Sequence, residues 1–206
     1  FSSQGNNIVG NTTGCSLSTV SSDKLNVNPQ LGPFLASFGY YPLLPGSPAI
    51  NAGNPATCLA TDQRGVTRPQ GTGCDIGAFE YRGNGGAPAY ILAYSGTSQV
   101  LPLGGQATQP LKALVLDAAG DSVPGSTVTF TAPATGASAV FSNTSNNKST
   151  SLSDSNGIAT SSAFSAKPIV GRYAIQASVN GVSSTADFIL ASGNASASTY
   201  TPSNST

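Results

Sequence analysis

"TDQRGVTRPQGTGCDIGAFEY", residues 61–81, holds Asp62, Arg64, Arg68, Asp75 and Glu80. Charged residues make up only 8% of this 206-residue chain, against roughly 25% in ordinary soluble domains. Such a concentration serves either chemistry or the closure of a fold. Arg64 can bond carboxylates and loop carbonyls through five fixed donors, and Asp62 and Asp75 can accept from turn amides, so loops without regular ladders have their polar groups met. Ile76, Ala78 and the ring of Tyr81, alternating with Phe79, predict a closing strand. The cluster Asp62, Arg64, Asp75 and Glu80 is therefore expected to be structural.

The competing reading is catalysis on a polysaccharide. It requires paired acids about 5 to 10 Å apart, or a calcium-binding carboxylate group with a basic proton abstractor. The chain has no His, which excludes His-dependent triads and His metal sites. "GTGCDIG", residues 71–77, has its third Gly one position late for a dinucleotide loop and no helix after it, so it reads as a turn. No catalytic residue, cofactor or metal site is expected.

Eight basic and eight acidic side chains cancel, leaving no basic stripe for nucleic acid or anionic lipid. No apolar run approaches the roughly 18 residues of a spanning helix, and no basic-then-apolar leader opens the chain. Membrane insertion of this segment is not expected. With no Met in the sequence, Phe1 is expected to follow a processing or trimming event. Cys58 and Cys74 flank a Gly/Pro/Thr-rich loop, and a disulfide closing about 15 residues contributes roughly 3 kcal/mol. The alternative is two small buried thiols. A zinc site lacks both His and paired C-x-x-C units. Cys15 is then a buried free thiol, or has a partner outside this sequence.

The 24 Gly and 14 Pro, with apolar residues in alternation or short bursts, predict an all-β chain. "RGNGGAPAY", residues 82–90, marks a break. The expected organisation is residues 1–82, a Gly/Pro linker over 83–89, a sandwich over 90–191 and a Ser/Thr/Asn-rich tail over 192–206. In the second half, a strand is expected around Leu114 and Leu116, then a turn from Asp117 to Gly125, then a strand with Val128 and Phe130 on one face. Tyr173, Ile175, Ala177 and Val179 share one face of a later strand. Asn156-Gly157 and Asn180-Gly181 suggest two-residue turns with positive φ at both positions. About seven short strands in about 100 residues argue for two packed sheets.

"LVLDAAGDSVPGSTVTFTAPATGASAVF", "SDSNGIATSSAF" and "GRYAIQASVNG" resemble the bacterial immunoglobulin-like repeats of invasin- and intimin-type surface proteins, which implies a spacer module. Residues 2–18, "SSQGNNIVGNTTGCSLS", read as one rung of a parallel β-helix, a short apolar burst between Asn and Gly corners. "NPQLGPF", "YYPLLPGSPAINAGNPATC" and the opening stretch, in that order, resemble the C-terminal end of secreted right-handed parallel β-helix proteins, including polymorphic outer-membrane-protein repeats and anchor-bearing β-helix proteins. That resemblance implies about three rungs over residues 1–82, with the charged cluster as a cap on the last rung.

Together these imply a non-catalytic, extracellular or cell-surface structural protein of bacteria, part of an adhesin or fibre. Its expected partners are upstream rungs of the same parent protein or a second copy added head to tail, through an open rung or the segment "AYILAY". A glycan or a neighbouring cell surface is a further expected partner. The alternative is a carbohydrate-binding or polysaccharide-degrading protein whose active rungs lie upstream. Phe38, Tyr40 and Tyr41 form the candidate glycan platform; the opposing reading is a loop packed over the core. Asn11, Asn143, Asn147, Asn194 and Asn204 begin N-x-S/T triplets, at a frequency expected by chance in so Asn- and Ser-rich a chain.

Overall fold

The computed structural model describes residues 2–35, 38–83 and 85–193. The expected Ser/Thr/Asn-rich tail lies, from residue 194 on, outside the described residues, as do the triplets at Asn194 and Asn204. The protein is all-β: twelve strands and one 3-10 turn, Pro55–Thr57, with no α-helix among the described residues. Contacts gather the chain into two compact units. One comprises the chain up to Tyr90 with Leu114–Ser126 and Ser153–Ile158; the other comprises Ile91–Ala113, Thr127–Leu152 and the chain from Ala159 onward.

The first unit opens with β1 (Ile8–Val9) and β2 (Lys24–Leu25), which pair in parallel, Ile8 with Lys24 and Val9 with Leu25. A parallel bridge joins Ser2 to Ser18 in the same offset. Parallel neighbours cannot be joined by a tight turn, so the chain makes one circuit and returns beside itself in the same direction. Asp23 locks the two passes. Its Oδ1 accepts from Ser3 Oγ at 2.8 Å and from the Asn7 amide and Nδ2 at 3.1 and 3.0 Å, while Oδ2 accepts from the Val20 amide at 2.9 Å.

Beyond this pair the parallel ladder does not continue among the described residues. Leu31 bridges Leu43, Leu35 bridges Tyr40 and Thr61 bridges Thr67, all antiparallel, and these short bridges sit in loops around buried Leu35, Leu43, Leu44, Ala49 and Phe79. The closing strand expected over 76–81 is absent. Two of its amides are taken by side chains instead: Glu80 N donates to Asp62 Oδ2 at 3.0 Å and Tyr81 N to Asp75 Oδ2 at 2.5 Å. Gly53 N donates to the Cys74 carbonyl at 2.7 Å, an approach only glycine permits, since a Cβ there would lie 2.9 Å from both the Cys74 and Asp75 carbonyl oxygens.

The second unit is built on alternation. A five-stranded sheet has the order β4 (Val100–Leu101), β12 (Ala186–Ser192), β11 (Gly171–Val179), β6 (Thr127–Thr131), β8 (Lys148–Leu152). β12 and β4 are parallel and the other pairs antiparallel. Val128 and Phe130 on β6, Tyr173, Ile175, Ala177 and Val179 on β11, and Ala186, Phe188 and Leu190 on β12 are all buried. The period of two therefore sends one face of each strand inward. Register then sets Ala177 against Phe130 and Ile175 against Phe188, and the Phe130 and Phe188 rings meet at 6.0 Å. β7 (Ala139–Phe141) pairs antiparallel with β10 (Phe164–Ala166), with Phe141 and Phe164 rings 5.7 Å apart. A three-stranded sheet of the order β3 (Pro88–Ser95), β5 (Lys112–Asp117), β9 (Ile158–Thr160) belongs to neither unit alone, residues 114–117 counting with the first and 91–95 with the second.

The turns differ from the expected type. Gly157 and Gly181 have φ of +74° and +85°, but Asn156 and Asn180 are not among the residues with positive φ. In the first turn Asp154 is the reason: its Oδ1 accepts from the amides of Asn156 and Ile158, a side-chain turn that keeps Asn156 out of the left-handed region.

Candidate functional site

The charged residues of 61–81 converge inside the first unit, and others join them. Asp62 is 7% exposed. Its Oδ1 accepts from the amides of Arg64 and Val66 at 2.7 and 3.0 Å, and its Oδ2 from Arg64 Nε at 2.8 Å and the Glu80 amide at 3.0 Å. Burial pushes this carboxyl up, but the amides of Glu80 and Val66 and the Arg64 guanidinium together hold it below the usual carboxylate range. Arg64 Nη2 donates to the Glu80 carbonyl at 2.6 Å and Nη1 to the Ala119 carbonyl. Its guanidinium carbon sits 3.6 Å from the centre of the Phe79 ring, so packing and charge act on one side chain.

Asp75 and Glu80 form a second layer. Asp75 Oδ1 accepts from the Asn51 amide at 2.8 Å and Oδ2 from the Tyr81 amide. Burial raises its pKa, against the pull of those two amides. Glu80 is fully buried and accepts from the amides of Gln70 at 2.8 Å and Asp75 at 3.0 Å. Arg68 lies over this pair, with Nε 3.6 Å from Glu80 Oε2 and Nη2 donating to the Gly77 carbonyl at 2.7 Å.

Three participants were not singled out by the sequence reading. Arg82 donates through Nε to Asp121 Oδ2 at 2.5 Å and through Nη2 to Asp117 Oδ2 at 3.0 Å. Asp117 Oδ1 in turn accepts from the amides of Ala119 and Asp121, both at 2.9 Å. Burial raises the pKa of Asp121, opposed by Arg82. The sequence places Arg82 at the end of the first segment, just before the linker, and Asp117 to Gly125 in a turn. The available signal was two acids four apart in a chain with little other charge.

Chemically this is a closed network. The oxygens of Asp62, Asp75 and Glu80 are met by amides and guanidiniums of their own unit, and among the described residues no group of three His, Cys, Asp or Glu side chains is arranged to hold a metal ion. Cys58 and Cys74 form a disulfide, which fastens the loop that leads into Asp75. Cys15 is free and exposed, correcting the expectation of a buried thiol.

The three aromatic residues divide. Tyr40 is 8% exposed, its ring packs on Phe79 at 5.4 Å and its hydroxyl donates to the Ala119 carbonyl at 3.4 Å. Gly120, at φ +86°, lets that hydroxyl approach; a Cβ there would lie 2.6 Å from it. Phe38 and Tyr41 keep 43% and 51% of their surface exposed. Phe38 meets Tyr90 edge-on at 5.1 Å, and Tyr41 pairs with Phe34 at 4.9 Å.

No protein-family model matches the chain, and no curated protein matches it. Among solved structures the chain is similar to the crystal structure of domains 4 and 5 of the S-layer protein SbsC, at 14% identity and a TM-score of 0.34, over 52% of each chain. The chain thus spans about half the length of the structure it matches. So loose a likeness transfers neither fold nor role.

Proposed function

We propose that the chain is a non-catalytic structural segment of a bacterial cell-surface protein. In this reading a short parallel β-coil, of which residues 2–25 are two passes, ends at the Arg/acid cluster acting as its cap. An immunoglobulin-like sandwich follows as a spacer. The observation that carries it is the saturation of the cluster: Asp62, Asp75 and Glu80 are buried and each accepts backbone amides of the same unit. Carboxylates engaged in this way by their own backbone support a role in closing the loops over one in proton abstraction from a substrate. The disulfide supports an oxidising, extracellular location.

The test is turnover. Incubated with a panel of plant, algal and bacterial polysaccharides, the purified chain should release no reducing ends and no unsaturated products above a buffer blank. Turnover that disappears in Asp62→Asn or Glu80→Gln would overturn the proposal.

A further inference from the structure

The first unit carries two neighbouring concavities that share Tyr40 and Gln63. One, of about 610 Å³, is lined by Phe38, Arg64, Val66, Ala118 and Ala119 besides the shared pair. The other, of about 460 Å³, includes Tyr41, Leu31, Leu43 and Phe79. Each therefore has one exposed aromatic ring on its wall, Phe38 in the first and Tyr41 in the second, with Gln63 common to both.

The polar groups on these walls fall into two kinds. Arg64 is spent, its donors held by Asp62, Glu80 and Ala119. Gln63 is exposed, and its side-chain amide makes no hydrogen bond among the described residues, nor does the Tyr41 hydroxyl. Both free groups are neutral, and both donate as well as accept. A ligand complementary to these walls is uncharged, offers flat C–H faces to two rings, and carries groups that themselves donate and accept. Vicinal sugar hydroxyls do so opposite a primary amide, whereas a proline-rich peptide offers acceptors alone.

We propose that the paired concavities bind a neutral oligosaccharide, with one sugar ring on Phe38, another on Tyr41, and hydroxyls on the Gln63 amide between them. This goes beyond the spacer reading and survives if that reading fails, because it needs no turnover. The experiment titrates the ¹⁵N-labelled chain with cellotetraose, mannotetraose, galactotetraose, chitotetraose and, separately, decaproline. At least one sugar should shift the backbone amides of Phe38, Tyr41 and Gln63 and the Gln63 side-chain amide. Phe38→Ala and Tyr41→Ala should each weaken that binding about tenfold while the spectra elsewhere stay unchanged, and Gln63→Ala should weaken it by a smaller factor. Three results overturn the proposal: no shifts with any sugar up to about 10 mM, sugar binding that all three variants leave intact, or shifts at these residues with decaproline alone.

Discussion

The two units hold their chains in place by different means. In the second, β6, β11 and β12 place an apolar residue inward at every other position, and the ladders between them satisfy the backbone. In the first, the ladder of the opening passes is two residues long, and carboxylates and guanidiniums take over the work of ladders in the loops around Phe79. The contrast teaches where a single lost side chain costs most. A sheet shares its cohesion among many contacts, each worth a fraction of the total, whereas a buried ionic hub leaves several groups unmet at once.

Arg64→Ala sharpens that contrast most. It strips Asp62 of its counter-charge, leaves the Glu80 carbonyl without its donor and leaves the Ala119 carbonyl only the Tyr40 hydroxyl, a loss expected at about 3–5 kcal/mol. Ile175→Val, at the centre of β11 and fully buried, should cost only about 1 kcal/mol. Urea unfolding of both variants measures the pair. Equal losses would mean that the cluster is no more a hub than any core methyl.

That asymmetry also explains what the sequence disclosed. The inward faces of β6 and β11 were legible because alternation is local and a strand of five to nine residues repeats it several times. The Cys58–Cys74 pairing was legible from loop chemistry and spacing. The partners of Arg82 were not, since Asp117 and Asp121 lie 35 and 39 positions away and no periodicity links a linker-like stretch to a distant turn. The missing strand over 76–81 has a related cause. Apolar alternation predicted a ladder, but acids at 62 and 75 outcompete it for the amides of Glu80 and Tyr81.

The disulfide gives a second, smaller test. It closes the loop between Cys58 and Cys74, a constraint worth about 3 kcal/mol through the unfolded state. Cys58→Ser with Cys74→Ser should lower the unfolding midpoint and raise amide exchange at Gly53, which donates to the Cys74 carbonyl. Exchange across β11 and β12 should not change. A loss that appears equally in those strands would erase the distinction between the units.

Acid offers the smallest and most local effect, on the paired passes at the start of the chain. The Val20 amide and the Ser3 hydroxyl, with Asn7, bring the Asp23 pKa down to about 2 from an ordinary 3.8. A carboxyl depressed by folding adds stability above its unfolded value and loses it as pH falls through the folded one, so the window runs from near pH 4 down to about 2. Asp62 works in the same direction, while Asp75 and Asp121, raised by burial, work oppositely: below the unfolded value they cost nothing, and the penalty for ionising them grows as pH rises. A global acid titration therefore mixes opposing signs. Amide exchange confined to residues 2–25 separates them, because Asp23 lies there and the other three acids do not. Exchange in that segment should quicken across the acid window in the natural chain, and Asp23→Asn should flatten the dependence by removing the titrating group. If the variant keeps the same pH profile, the two passes are held by their ladder, and the first unit is less dependent on charge than its cluster suggests.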